Sequence, residues 1–222
     1  MKNKKHFNLS LILLALAFLI ILVSLVFMPE RVPIHYDFEG NIDNYGSKYV
    51  YLAIPGSALL VWIFLHLIAR FAYKEKPENQ KLIYLTSACV NFVFIILEII
   101  FVALAFVKGD KKPIDNIIYP ILNVALGISF IIIGNFLPKL TKNKLIGLRT
   151  PWSLYNDNTW NISQRYGGYI LVGIGFILII ATIFVSGIYN FIVLLSCLFL
   201  MTVLALLFSY LVYKKEKAKE TE

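Results

Sequence analysis

Charge is scarce in this chain: only 15% of its 222 residues carry any, against about a quarter in an ordinary soluble domain. Cysteine is scarcer still. The two present, Cys89 and Cys197, both fall inside apolar runs, which excludes a disulfide framework and leaves buried apolar thiols. Hydrolytic and nucleotide templates are missing: there is no HExxH, GxSxG or Walker A motif and no Cys–His pairing. The chain is therefore not expected to be an enzyme or to use a cofactor. No basic helix lies clear of the apolar runs, so direct binding of nucleic acid is not expected either, despite a net charge of +8.

What the chain has is hydrocarbon, with 59% hydrophobic residues and a mean hydropathy of +0.75. A bilayer is crossed by roughly 20 mostly apolar residues, and six segments qualify: 9–28, 49–72, 82–107, 117–137, 167–187 and 190–213. The first exceeds the 7–15 residues of a signal h-region and reads as a retained span. Positive charge sets orientation. With the amino terminus inside, Lys and Arg divide 16 inside to 5 outside, so both termini are placed in the cytoplasm. The net charge then reads as topology signal plus attraction to anionic membrane lipid.

Turn residues and polar aromatics concentrate in two connections on opposite faces, while 73–81, 108–116 and 186–189 look too short to hold chemistry. In the outer connection, 29–48, Val32, Ile34, Tyr36 and Phe38 alternate with Arg31, Pro33, His35, Asp37 and Glu39. That period of two predicts a strand, with a two-residue turn at Gly40-Asn41 and a short return over Ile42–Tyr45; Pro33 confines it to an edge. Asp37, Glu39, Asn41 and Asp43 alternate like EF-hand ligands, but Ile42 stands where the loop needs Gly, so no metal is expected.

The inner connection, 138–166, carries Pro138, Gly147, Thr150-Pro151 and Asn156-Asp157-Asn158. Asn156 or Asn158 is the expected N-cap of an interfacial helix running into span 5. Trp152, Tyr155, Trp160 and Tyr166 suit headgroup depth, which predicts a loop lying on the inner leaflet.

Polar groups inside the spans are few. Glu98 lies deep in span 3 and is a functional candidate on that ground alone, the alternative being an acid that locks helix packing. It shares a stripe with Tyr84, Ser87, Asn91 and Phe101, which must face protein. Pro120, Asn123, Gly127 and Gly134 line span 4, and a cluster around Glu98, protonated or hydrogen-bonded, is expected to include Asn123 and Gly127. Trp62, His66 and Arg70 read as interface anchors on span 2. No GxxxG occurs, so close helix approach is expected to rest on single Gly and Ser residues.

Two motifs resemble the SdpI-type immunity protein family, integral membrane proteins that protect bacteria against a secreted peptide toxin. Pro29, Pro33, His35, Gly40, Asp43, Gly46 and Lys48 match its outer pattern. Gly134, Asn135, Pro138, Lys139, Asn143, Gly147, Arg149, Thr150, Pro151, Trp152, Leu154 and Trp160 match its inner one. Ser163-Gln164 stands where the family often has Thr-His, which removes a protonatable group there. The resemblance implies an immunity protein and signal receptor of the cell membrane that neutralises a membrane-active toxin and sequesters a transcriptional repressor.

The expected fold is all-α: six transmembrane helices, both termini inside, with a short extracellular hairpin and an interfacial cytoplasmic loop. An amino-terminal membrane domain is expected over 1–110 and a carboxy-terminal SdpI-like one over 111–222. Topology assigns His35, Tyr36, Asp37, Asp43, Glu98 and Asn123 to the toxin, and Asn143, Gly147, Arg149, Thr150, Pro151, Trp152 and Trp160 to cytoplasmic docking. The alternatives are a small permease, motivated by Glu98, and a housekeeping family member acting in envelope stress.

Overall fold

The computed structural model describes residues 3–36, 41–74, 76–106 and 115–220. Six helices are long and apolar enough to cross a bilayer: α1 (Lys4–Phe27), α2 (Ala53–Phe71, entered through a 3-10 turn over Lys48–Leu52), α3 (Pro77–Phe106), α4 (Asp115–Phe136), α5 (Asp157–Phe184) and α6 (Ile188–Lys219). Large apolar side chains face outward along most of them, among them Phe64, Phe176, Phe199 and Leu206. Such a surface suits lipid, since a soluble protein rarely exposes a contiguous apolar patch beyond a few hundred Å². The chain is thus an all-α, multi-pass membrane protein carrying one two-stranded sheet among its described residues.

Helices α1, α2 and α3 pack on one another, α4 packs on α5 and α5 on α6, and α3 with α4 joins the two groups. The expected domain boundary at 110/111 falls outside the described residues. The α4–α5 pair makes the most extensive contact, and its cause is a reciprocal pairing of glycines. A Cβ on Gly127 would stand 2.6 Å from the carbonyl oxygen of Gly175, and one on Gly175 would stand 2.6 Å from that of Gly127. One heptad along, Gly134 and Gly168 repeat the arrangement at 2.8 and 2.7 Å. Backbones touch where side chains are missing, the way membrane helices gain packing without a hydrophobic drive. Close approach therefore uses glycines in pairs spaced by seven residues, not singly as the lack of GxxxG suggested.

Helix α5 begins about ten residues before the hydropathy boundary. Asn156 is its N-cap: its side chain accepts from the Thr159 N–H at 2.8 Å, and Thr159 Oγ1 accepts from the Asn156 N–H at 2.9 Å. Thr159, Trp160, Ser163, Gln164 and Gly167 turn inward at helical spacing while Asn158, Asn161 and Arg165 stay exposed. A hydropathy window reads only the lipid-crossing part of such a helix. The expected helix running into span 5 is continuous with it from Asp157, with Asn156 as its cap, and the inner connection shrinks to 140–156.

Candidate functional site

On the outer face, β1 (Arg31–Tyr36) pairs antiparallel with β2 (Ile42–Ser47). Tyr36 lies opposite Ile42, leaving 37–41 between them; a two-residue turn at Gly40-Asn41 would have set it opposite Tyr45. Asp37, Phe38, Glu39 and Gly40 lie outside the described residues. The register slips between Pro33 and Tyr36, so the expected alternation breaks and Ile34 is exposed while Val32 is fully buried. The ribbon is fastened at its base. Tyr51 donates its hydroxyl to the Pro33 carbonyl at 2.7 Å, and the largely buried Lys48 reaches Glu30 at 2.9 Å. Its exposed tip brings two candidates together: His35 Nδ1 and Asp43 Oδ1 are 2.6 Å apart.

The ribbon also leans on α3. Tyr36 packs on Ile100 and Leu104, its ring centroid 6.4 Å from that of Phe101, which in turn meets Tyr51 edge-on at 5.8 Å. One turn below Phe101 lies Glu98, with no exposed surface, beside the backbone of Ile21 on α1. Neither of its carboxyl oxygens has a hydrogen-bond partner among the described residues, and the same holds for the buried Tyr36 hydroxyl.

Burial, seconded by Tyr45, pushes that hydroxyl up to about 12 from an ordinary 10.0. The protonated phenol is the form the fold favours. Its contribution is full below about pH 10 and lost as pH climbs through about 12. We expect the Tyr36 phenolate to form near pH 12, read as the difference in near-ultraviolet absorbance between the wild type and Tyr36→Phe; ionisation near pH 10 would contradict the packing.

The expected cluster of Glu98 with α4 is corrected by the helix pairing. The polar stripe of α3 faces α1: Asn91 donates to the Ser10 carbonyl at 2.8 Å. Ser10 Oγ accepts from the Trp62 indole at 3.2 Å and lies 3.1 Å from His66 Nε2. His66 is buried between the rings of Trp62 and Tyr84, inside the bundle and not at the lipid interface. Asn123 instead donates to the Asn190 carbonyl at 3.0 Å, tying α4 to the first turn of α6, and Gly127 serves α5.

The inner connection is corrected as well. It is pinned among helix ends and does not lie flat on the leaflet. Trp160, fully buried, donates its indole N–H to the Leu140 carbonyl at 2.9 Å, so it is no headgroup anchor. Asn143 Oδ1 accepts from the Tyr73 hydroxyl at 2.7 Å and from the N–H groups of Leu145 and Ile146 at 2.9 and 2.8 Å. Thr150 and Ser153 cap one another's N–H groups at 2.9 and 3.0 Å, and the Thr150 hydroxyl donates to Ser209 on α6. Gly147 sits at φ +98°, and a Cβ there would lie 2.6 Å from Gln164 Oε1. Arg149 and Pro151 are exposed and Trp152 is half-buried, edge-on to Tyr210.

Three anchors escaped the sequence reading. Fully buried Gln164 grips Leu148 as a second peptide group would, accepting from its N–H and donating to its carbonyl, both at 2.9 Å. Tyr73 and Asn79 come from a connection judged too short to matter. Asn79 accepts from the N–H and hydroxyl of Thr141 at 3.0 and 3.1 Å and donates to its carbonyl at 3.2 Å. Asn79 and Gln164 sit where polarity precedes an apolar run, which as a signal does not separate a buried amide from a solvated one.

Residues 139–213 match the SdpI/YfhL protein family, and residues 12–59 match a domain of unknown function (DUF1648). The chain is 29% identical over 207 residues, 93% of its own length and 95% of the relative's, to the immunity protein SdpI of Bacillus subtilis (strain 168). No solved structure matches it significantly.

Proposed function

We propose, from the premise that this chain belongs to the SdpI-type family of cell-membrane proteins, that it is an immunity protein that neutralises a membrane-active peptide toxin without catalytic turnover. The observation that carries this reading is the similarity to an immunity protein along 93% of the chain, which takes in both loops at once. The geometry supports a division of labour. The His35–Asp43 tip offers the secreted toxin an exposed polar contact, and Tyr36 on Phe101 links that tip to the unpartnered Glu98. Toxin stabilises whichever arrangement of hairpin and α3 it binds better.

On the cytoplasmic face, Arg149, Pro151 and Trp152 offer surface to a transcriptional repressor. Asn143, Thr150 and Trp160 are buried and serve by holding that surface in place; Gly147 supplies the bend. Asn123, bonded to α6, takes no direct part in toxin contact in this arrangement.

Expression in a toxin-sensitive host tests the reading. Cells carrying the chain should keep their membrane potential under toxin, and vesicles should take up no solute. Unchanged killing with the protein well inserted would falsify it. Glu98→Gln should weaken protection at least tenfold in toxin dose at normal membrane levels; full protection would return Glu98 to a packing role. The unpartnered Glu98 and Pro120 within α4 also favour a second reading, a small permease, for which coupled flux in vesicles is the deciding measurement.

A further inference from the structure

A cavity of about 570 Å³ lies between the two helix groups, in the half of the membrane that charge assigns to the cytoplasmic leaflet. Its walls include Leu65 of α2, Ile83 of α3, Leu171 of α5 and Met201 and Ala205 of α6, and residues 146–150 close its cytoplasmic end. Helices α2 and α6 flank it but are not among the pairs that pack extensively, so the gap between them faces hydrocarbon. Among the described residues Arg149 is the one charged side chain lining it; it is exposed and has no ion-pair partner among them. Across the same strip of chain, Lys76, Lys142 and Lys144 line a separate concavity of about 580 Å³, where Lys142 is paired with Asp157 at 3.5 Å.

The mostly apolar walls offer water few hydrogen-bond partners, and left empty they forfeit dispersion contacts. Its volume falls in the range of small-molecule sites, and the molecule at hand beside a gap in hydrocarbon is a lipid chain. Arg149 selects the headgroup, because one Lys or Arg at the surface attracts anionic lipid by about 1 kcal/mol. We propose that this cleft binds one anionic phospholipid of the inner leaflet, an acyl chain between α2 and α6 and the phosphate on Arg149. The site makes the 146–150 segment a shared wall between lipid and cytoplasm.

The test takes the full-length protein in mild detergent, equilibrates it with equal phosphatidylglycerol and phosphatidylcholine, and counts retained lipid by native mass spectrometry. One lipid per chain is expected, with phosphatidylglycerol favoured about fivefold, the equivalent of one such surface charge. Arg149→Gln should abolish the preference while a lipid is still held. Ala205→Trp should plug the cleft and remove retention; Leu171→Phe repeats the test if that variant does not fold. Equal retention of both lipids by the wild type overturns the proposal, as does unchanged retention in a folded plug variant. Loss of preference on Lys214→Gln but not Arg149→Gln overturns it too, placing the lipid in the general annulus. A cleft that takes a hydrophobic peptide yet retains no phospholipid is equally incompatible.

Discussion

Gly175→Val is expected to separate α4 from α5 and lower stability by about 3 kcal/mol or more, the upper end of overpacking costs. The reason is the 2.6 Å between the new Cβ and the Gly127 carbonyl oxygen, a backbone atom that cannot rotate away as a side chain would. The valine methyls add to the conflict, since Ile131 Cγ1 is already 2.8 Å from that Cβ. Even Gly175→Ala should cost about 1–3 kcal/mol by the same argument, outweighing the gain of about 1 kcal/mol that alanine brings to a helix. Gly173 is the internal control. It lies on the same helix with nothing within 4 Å of its would-be Cβ, so Gly173→Ala should be neutral or mildly stabilising. Thermal unfolding in detergent, read by loss of the monodisperse peak, distinguishes the two; equal midpoints for Gly173→Val and Gly175→Val would remove the glycine pairing. The double Gly127→Ala/Gly175→Ala should cost less than the sum of its parts, because helices already forced apart accept the second methyl freely.

That contact marks where sequence reading stopped. The six spans were legible because twenty apolar residues in a row have few other uses, and the hairpin because its residues alternate. Partner choice between helices was not legible. Glu98 and Asn123 sit at matching depths on adjacent spans, yet α3 turns its polar stripe to α1, where the Ser10 carbonyl takes the Asn91 amide. Depth follows from counting residues, whereas rotation about the helix axis follows from packing. The same limit explains Trp160 and His66. Tryptophan and histidine near a span end fit both the headgroup layer and a buried seat with one polar bond; only the seats, against Leu140 and Ser10, decide between them. The expected register of the ribbon failed for a different reason: Arg31 already lies opposite Ser47 at its base, where Tyr51 and Lys48 fasten it, so the pairing is set there and not by the residues that read as a turn.

Gln164→Ala should do to the cytoplasmic loop what Gly175→Val does to the helix pair. The side-chain amide supplies both bonds a backbone partner would give Leu148, in a place that neither strand nor helix reaches. On its removal the Leu148 carbonyl keeps the Ser153 hydroxyl at 2.9 Å, so the cost falls chiefly on the orphaned N–H and on the space left behind. An unsatisfied group and a small cavity together amount to about 2–4 kcal/mol. The loss should be local: Asn143, Asn79 and the Thr150–Ser153 pair still hold the strip at its two ends, leaving 147–149 held between them only through the Leu148 carbonyl. In inside-out vesicles, trypsin should therefore cut after Arg149 several times faster than in the wild type, while cleavage after Lys219 in the tail is unchanged. Leu148 should lose amide-exchange protection in step. If Gln164 holds the docking surface in register, the repressor response should fall before toxin protection does. Protection failing first, at equal membrane levels, would make the loop part of the toxin-resisting core. An unaltered trypsin pattern would mean that the remaining anchors suffice and that the Gln164 clamp is dispensable.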